Sequence, residues 1–268
     1  MSATGTPTAH AIGGSNTTLG CPGGVYISSS GAIYVADPCT GRLDKFVPGA
    51  SGNVAPFAWI GGDTWTLVDP DAVIADSNGN LWVVDDNVPS VDEFGSSLSP
   101  GENSIAPSAT LTSTALGFPI GIYVDRESHL WIADQSDGVD ETPALFEFDP
   151  AGGSQSPICT ISGPNTTLVN PGASISMAVD NGAYVYAVNG SDYVTPEALR
   201  SIRASRVHTD SEDGNPQVSI FAKGQCGNVT PAYTIGGPAT DLVDPAAVLV
   251  YSTATTTKTL NVIEVLLK

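Results

Sequence analysis

Asp37, Asp85, Asp134 and Asn189 each close a short apolar stretch with an aromatic residue three places before its end: GAIYVAD, GNLWVVD, SHLWIAD and AYVYAVN. A side chain that recurs at one place in successive copies of a phrase falls on one face of any architecture that stacks or rings those copies. Gathered there, four oxygen donors would suit a hard cation such as Ca²⁺, which takes roughly six to eight oxygens. The same residue types also hold tight turns through backbone N–H groups. The sequence therefore offers two uses for this set, a metal site and a turn cap. Asp76, Asp125 and Asp180 stand before the other turn of each phrase and read as turn formers.

Other chemistry-bearing residues are scattered. His10, His129 and His208 occupy unlike positions, the second replacing a turn Asn, so a three-histidine zinc site is not expected. No G-x-S-x-G elbow, G-x-G-x-x-G turn, P-loop or C-x-x-C pair is present. Trp59 and Trp65, less regularly placed than the other aromatics, are candidates for an exposed contact, whereas Tyr34, Trp82, Trp131 and Tyr186 share one position and read as core. Arg200, Arg203 and Arg206 are three of only nine basic residues, and after the helix-start signal Thr195-Pro196-Glu197 they would share one helix face, with His208 following.

The elements that must position these groups come from an internal repeat. IGGSNTTLGCP, IGGDTWTLVDP, ISGPNTTLVNP and IGGPATDLVDP are copies of one phrase, with LTSTALGFP a degenerate fifth. Their prolines, at 22, 70, 119, 171 and 245, are 48, 49, 52 and 74 residues apart. Each unit holds about four stretches rich in β-branched and aromatic residues bounded by Gly, Pro, Asn and Asp, and none shows a long helical period. Units of roughly 40–50 residues with four strands each are the mark of propeller blades. The expectation is an all-β propeller of five blades, each of about four antiparallel strands, with six blades as the alternative. The 21 residues up to Cys21 and the 24 from Pro245 together make about one further unit, so the N-terminal strand is expected to join the C-terminal blade and close the ring.

The stretch Pro70 to Phe94, PDAVIADSNGNLWVVDDNVPSVDEF, resembles an NHL-repeat propeller, and with GNVAP, GNVTP and the IGG phrase it is similar to bacterial secreted proteins built from such repeats. The resemblance implies a fold shared by scaffolds, binding modules and a few enzymes. The basic residue usual after the aromatic strand is mostly missing, Arg42 excepted, which argues against the nucleic-acid-binding members.

Charge points the same way. Nine Lys and Arg against 28 Asp and Glu give −19, which repels phosphate backbones and anionic surfaces, so no nucleic-acid partner is expected. No apolar run approaches the ~20 residues of a membrane helix, and the opening MSATGTPTAHAIGG has neither a basic start nor an apolar core, so neither membrane insertion nor a signal peptide within this chain is expected. Cys21 and Cys39 flank the inner hairpin of the first unit and are expected to be bonded; Cys159 and Cys226 are left as free thiols or a bridge between blades. Disulfides favour an extracellular or cell-surface setting.

The domain expectation is one propeller over 1–268 with an insertion at 190–217, since 29 residues separate Asn189 from Val218 where six separate Asp37 from Leu43. That insertion reads either as a lid or docking element with a basic patch, or as an added surface strand or helix. The primary functional expectation is a non-catalytic binding or structural module for a protein or glycan partner, with no cofactor assigned. Two alternatives stand beside it: a Ca²⁺-assisted lyase or lactone/ester hydrolase using Asp37, Asp85, Asp134 and Asn189, and a subunit that exchanges terminal strands in a homo-oligomer or larger assembly.

Overall fold

Apolar runs without alternation, such as Leu81 to Val84, do not suit a sheet with one wet face; a strand carrying them must be covered on both sides. The computed structural model of the chain, which describes residues 11–61, 67–135, 142–168, 175–189 and 217–236, meets that demand with four successive sheets packed face against face. The first contains β1 (Val25–Ile27), β2 (Ile33–Asp37), β3 (Arg42–Phe46) and β4 (Ala58–Gly61). The second contains β5 (Pro70–Ala75), β6 (Asn80–Asp85), β7 (Ser90–Gly95) and β9 (Ala109–Thr112). The third contains β10 (Pro119–Val124), β11 (Leu130–Asp134), β12 (Ala144–Phe148) and β14 (Cys159–Ser162), and the fourth β15 (Ile175–Val179), β16 (Val185–Asn189), β17 (Gln217–Phe221) and β18 (Tyr233–Gly236). Within each, consecutive strands are antiparallel neighbours.

Both faces of the second strand are buried, each against a different neighbour. In β6, Leu81 and Val83 pack with the first sheet and Trp82 and Val84 with the third. In β11, Leu130 and Ile132 pack back onto the second sheet while Trp131 and Ala133 pack forward onto the fourth. The third-strand pairs Leu43/Phe46, Val91/Phe94, Leu145/Phe148 and Val218/Phe221 are all buried. The first strands run side by side, β5 beside β1 and β10, and β10 beside β15. This is the arrangement of blades in a β-propeller. At the closest approach a Cβ on Gly24 would stand 2.7 Å from both Ala72 Cα and Asp71 O, so glycine lets the first two blades meet backbone to backbone. Residues 1–10 and 237–268, on which the expected ring closure rests, lie outside the described residues.

A second device joins neighbouring blades at the rim. β8 (Gly101–Asn103) pairs in parallel with β4 of the preceding blade, and β13 (Gly153–Ser154) with β9. Single parallel bridges Ile161 to Gly227 and Ile12 to Gly52 occupy the corresponding places. Each clasp begins at a left-handed glycine, Gly52, Gly101, Gly153 and Gly227, with φ between 75° and 94°, a turn that residues with a Cβ adopt at a cost. At two clasps an asparagine locks the partner, the Asn16 N–H donating to Asn53 Oδ1 and the Asn165 N–H to Asn228 Oδ1, both at 2.7 Å. The clasp covers part of what would be an open edge on β4, β9 and β14.

Both disulfides are present. Cys21 and Cys39 bond as expected, with Cα atoms 5.4 Å apart, and Cys159 and Cys226 form the bridge between blades, with Cα atoms 5.5 Å apart.

Candidate functional site

The hairpin of each blade's first two strands has two ends, and chemistry-bearing side chains gather at both. At one end stand Asp37, Asp85 and Asp134, all buried. Asp37 accepts from the Gly20 and Cys21 N–H groups at 2.6 and 3.0 Å. Asp85 accepts from Val68 and Asp69 at 2.6 and 3.2 Å, and Asp134 from Gly117 and Phe118 at 3.0 and 2.9 Å. In three blades the carboxylate that closes the second strand therefore grips the chain just before the first, one N–H on each oxygen. Asn189 is also buried and donates from Nδ2 to Ser219 Oγ at 3.0 Å.

Beside Asp85 the second blade carries a pair of acids that its neighbours lack, set on a strand shift that the third blade shares. The register of β5 shifts between Pro70 and Ala72, and the Asp86 N–H donates to Asp69 O at 3.2 Å. This brings the Asp71 and Asp86 carboxyls into hydrogen-bond contact. Burial, then the charge of Asp69, pushes Asp71 up to about 7, while burial, then the charges of Asp71 and Asp69, pushes Asp86 up to about 8. Burial and the neighbouring carboxylates raise both groups above the usual carboxylate range, which favours a proton held by the pair. The corresponding positions are Gly23 and Pro38 in the first blade and Ile120 and Gln135 in the third. The sequence reasoning missed this pair; its only signal was the doubling of acid residues in DPDAV and VVDDN.

At the opposite end Asp76, Asp125 and Asp180 organise the turns. Asp76 Oδ1 accepts from the Asn78 and Asn80 N–H groups, Asp125 Oδ1 from His129 and Asp180 Oδ1 from Gly182 and Tyr184, all within 2.7–3.0 Å. The second oxygen takes a side chain: Asn80 Nδ2 at 3.3 Å, the Trp131 indole at 3.1 Å and the Tyr186 hydroxyl at 3.1 Å. Burial and then the Asp180 charge push the Tyr186 phenol up to about 12. In the third blade the His129 ring also reaches Glu147, Nδ1 to Oε1 at 2.9 Å, and lies 3.6 Å from Asp125 Oδ2. Burial raises the Glu147 carboxyl while His129 pulls it back. Among the described residues, Asp125, His129 and Glu147 are the one trio of His, Cys, Asp and Glu side chains whose ligand atoms all lie within 4.8 Å of one another.

Of the expected contact residues, Trp59 is half-buried on β4, with the Arg42 guanidinium 4.3 Å over its ring. Arg42 also pairs with the buried Asp44 at 2.6 Å; burial raises that carboxyl to about 6, with Arg42 opposing. Trp65, Arg200, Arg203, Arg206 and His208 lie outside the described residues. Both ends of the insertion are held, because Asn189 and Gln217 are a register pair between β16 and β17. Among the described residues no helix is long and apolar enough to cross a membrane.

No protein-family model matches the chain, and no curated protein matches it. Solved structures do match in fold. The nidogen/laminin complex aligns at 12% identity over 86% of this chain and 68% of that one, with a TM-score of 0.51. The extracellular domain of a hybrid two component system from B. thetaiotaomicron aligns at 12% identity over 91% of this chain, TM-score 0.48. A catalytically inactive virginiamycin B lyase from Staphylococcus aureus, solved with quinupristin, aligns at 11% identity over 85% of this chain, TM-score 0.46. This chain spans 26% of the first of these two and 59% of the second. The structural neighbours are β-propeller proteins, and they include both extracellular domains and enzymes.

Proposed function

We propose that the chain is an extracytoplasmic, NHL-type propeller of five blades that works as a non-catalytic binding module. The observation that carries this reading is the use of Asp37, Asp85 and Asp134: both oxygens of each carboxylate hold backbone N–H groups, so the repeated acceptors serve the blades themselves. The two disulfides support an oxidising compartment. A rigid ring of this kind recognises partners through its loops. The 190–217 insertion, with Arg200, Arg203, Arg206 and His208, is the recognition element, and Trp59 and Trp65 are secondary contacts. The partner is a protein or a glycan.

The test has two arms. In the first, thermal unfolding in chelator and then in Ca²⁺ is combined with lactone and ester hydrolysis assays. The binding module shows no Ca²⁺ shift and no turnover; Ca²⁺-dependent hydrolysis lost in Asp85→Asn would replace it with a metal-assisted hydrolase. In the second, the chain and a variant lacking 192–215 are probed against arrayed glycans and extracellular proteins. The ligand retained by the full chain is lost by the deletion at an unchanged thermal midpoint. A size measurement on the same samples separates a closed monomer from strand-exchanged copies.

A further inference from the structure

We propose that Asp125, His129 and Glu147 bind a divalent cation of the zinc class in the groove between the third and fourth blades. The groove is a cavity of about 170 Å³ whose lining includes these three residues, Trp131, Lys223 and Gln225. It lies beside the Cys159–Cys226 bridge, since Cys159 also lines it. The site is independent of the loop face invoked for partner binding.

The internal repeat supplies the comparison that carries the inference. In the second blade the same three positions are Asp76, Asn80 and Glu93, and Asn80 Nδ2 lies 3.3 Å from Asp76 Oδ2 and 2.7 Å from Glu93 Oε1. An amide nitrogen has two hydrogens, one for each carboxylate, and that network is complete. Imidazole Nδ1 has one hydrogen at most. In the third blade its one proton serves Glu147 at 2.9 Å, while Asp125 Oδ2, 3.6 Å from the same nitrogen, accepts from the Trp131 indole instead, so a metal-ligating nitrogen stands between the two carboxylates where the second blade has an amide. A metal ion in place of that proton serves all three atoms at once.

The geometry fits. Bonds of about 2.0–2.2 Å in a tetrahedral site place ligand atoms roughly 3.3–3.6 Å apart, close to the 2.9 and 3.6 Å separations here. One imidazole with two carboxylates suits zinc or its neighbours better than calcium, which prefers oxygen alone. The groups around the ligands are also in place. The Trp131 indole N–H fixes Asp125, whose side chain is 7% exposed, and when Nδ1 ligates, the ring proton moves to Nε2, which faces Asp149 Oδ1 at 4.0 Å. The cavity leaves the fourth position open to water or a small ligand.

The experiment titrates chelator-stripped full chain with Zn²⁺, reading stoichiometry by calorimetry and the thermal midpoint in parallel. One equivalent is expected, with the midpoint rising by about 5–10 °C at a hundredfold excess over Kd. His129→Asn copies the arrangement of the second blade; it keeps the metal-free midpoint and loses both the equivalent and the shift. Glu147→Gln, a second variant, lowers affinity by at least tenfold. A wild-type chain that takes up no stoichiometric zinc overturns the proposal, and so does a His129→Asn chain that binds the same equivalent with the same shift.

Discussion

Cys159 and Cys226 are bonded across the seam between the third and fourth blades, two residues before Ile161 and one before Gly227, which are themselves paired. The covalent bond and the parallel bridge thus hold the same joint. Cross-linking residues 67 apart removes more freedom from the unfolded chain than cross-linking residues 18 apart, by about 4 against about 3 kcal/mol in the chain-entropy account. The double variant Cys159→Ala/Cys226→Ala is expected to lose more stability in denaturant unfolding than Cys21→Ala/Cys39→Ala. An equal or smaller loss would mean that the clasp holds the blades without the bond.

The rim clasps also mark how far the sequence could be read. The blade strands were legible because LWVVD and its copies are continuous apolar runs punctuated by turn residues, which is a local signal. The Cys21–Cys39 bond was legible because both residues flank one hairpin. The strands at Gly101–Asn103 and Gly153–Ser154 were not, because GEN and GS have no periodicity and acquire strand character only from the neighbouring blade. Asp125 and His129 read in the sequence as separate turn residues. Glu147 was not singled out, although aligning the units places it with Glu93, each one residue before the buried phenylalanine of the third strand. The Asp71–Asp86 contact depends on a shift of register that the third blade shares, with Ile120 and Gln135 in the same places, and that no spacing in the sequence announces.

That contact sets a pH dependence of definite sign. Asp71 and Asp86 titrate near 4 when unfolded and at about 7 and about 8 when folded, so between these limits the native state holds more protons. Stability from this pair is complete below about pH 4 and declines as pH rises toward 8. Asp44, raised to about 6, adds to the early part of the decline. Asp86→Asn keeps a donor for Asp71 without a titrating proton. Its thermal midpoint is expected to exceed that of wild type at pH 8, with the difference shrinking toward pH 5. A constant difference across that range would show that the carboxyls do not share a proton.

Asp134 tests the strand-gripping role. Asp134→Ala leaves the Gly117 and Phe118 N–H groups without their acceptor at a fully buried position. Losing two hydrogen bonds to a charged group is expected to cost about 3 kcal/mol or more, which corresponds to a midpoint drop of roughly 6–12 °C. Asp134→Asn retains one acceptor oxygen and should fall between wild type and alanine. If the alanine variant unfolds at the wild-type temperature, the carboxylate is not what holds these strands.

Gly24 tests the spacing of the blades themselves. A methyl group there would lie 2.7 Å from Ala72 Cα and Asp71 O and 3.3 Å from Val73 N, all backbone atoms of the next blade's first strand. A flexible side chain could swing away, but a strand backbone held by its own ladder cannot, so the two blades must move apart. Overpacking of a close joint costs about 1–3 kcal/mol, and here the displacement would also loosen the shared core of Tyr34, Ala36, Val73 and Leu81. Gly24→Ala should therefore lower the midpoint by several degrees. Gly49→Ala is the control for the loss of glycine as such: its Cβ meets nothing within 4 Å, although its φ of 75° carries a strain that Gly24 does not. A larger loss at Gly24 than at Gly49 identifies contact between blades as the cause, and the reverse order would assign the cost to backbone conformation instead.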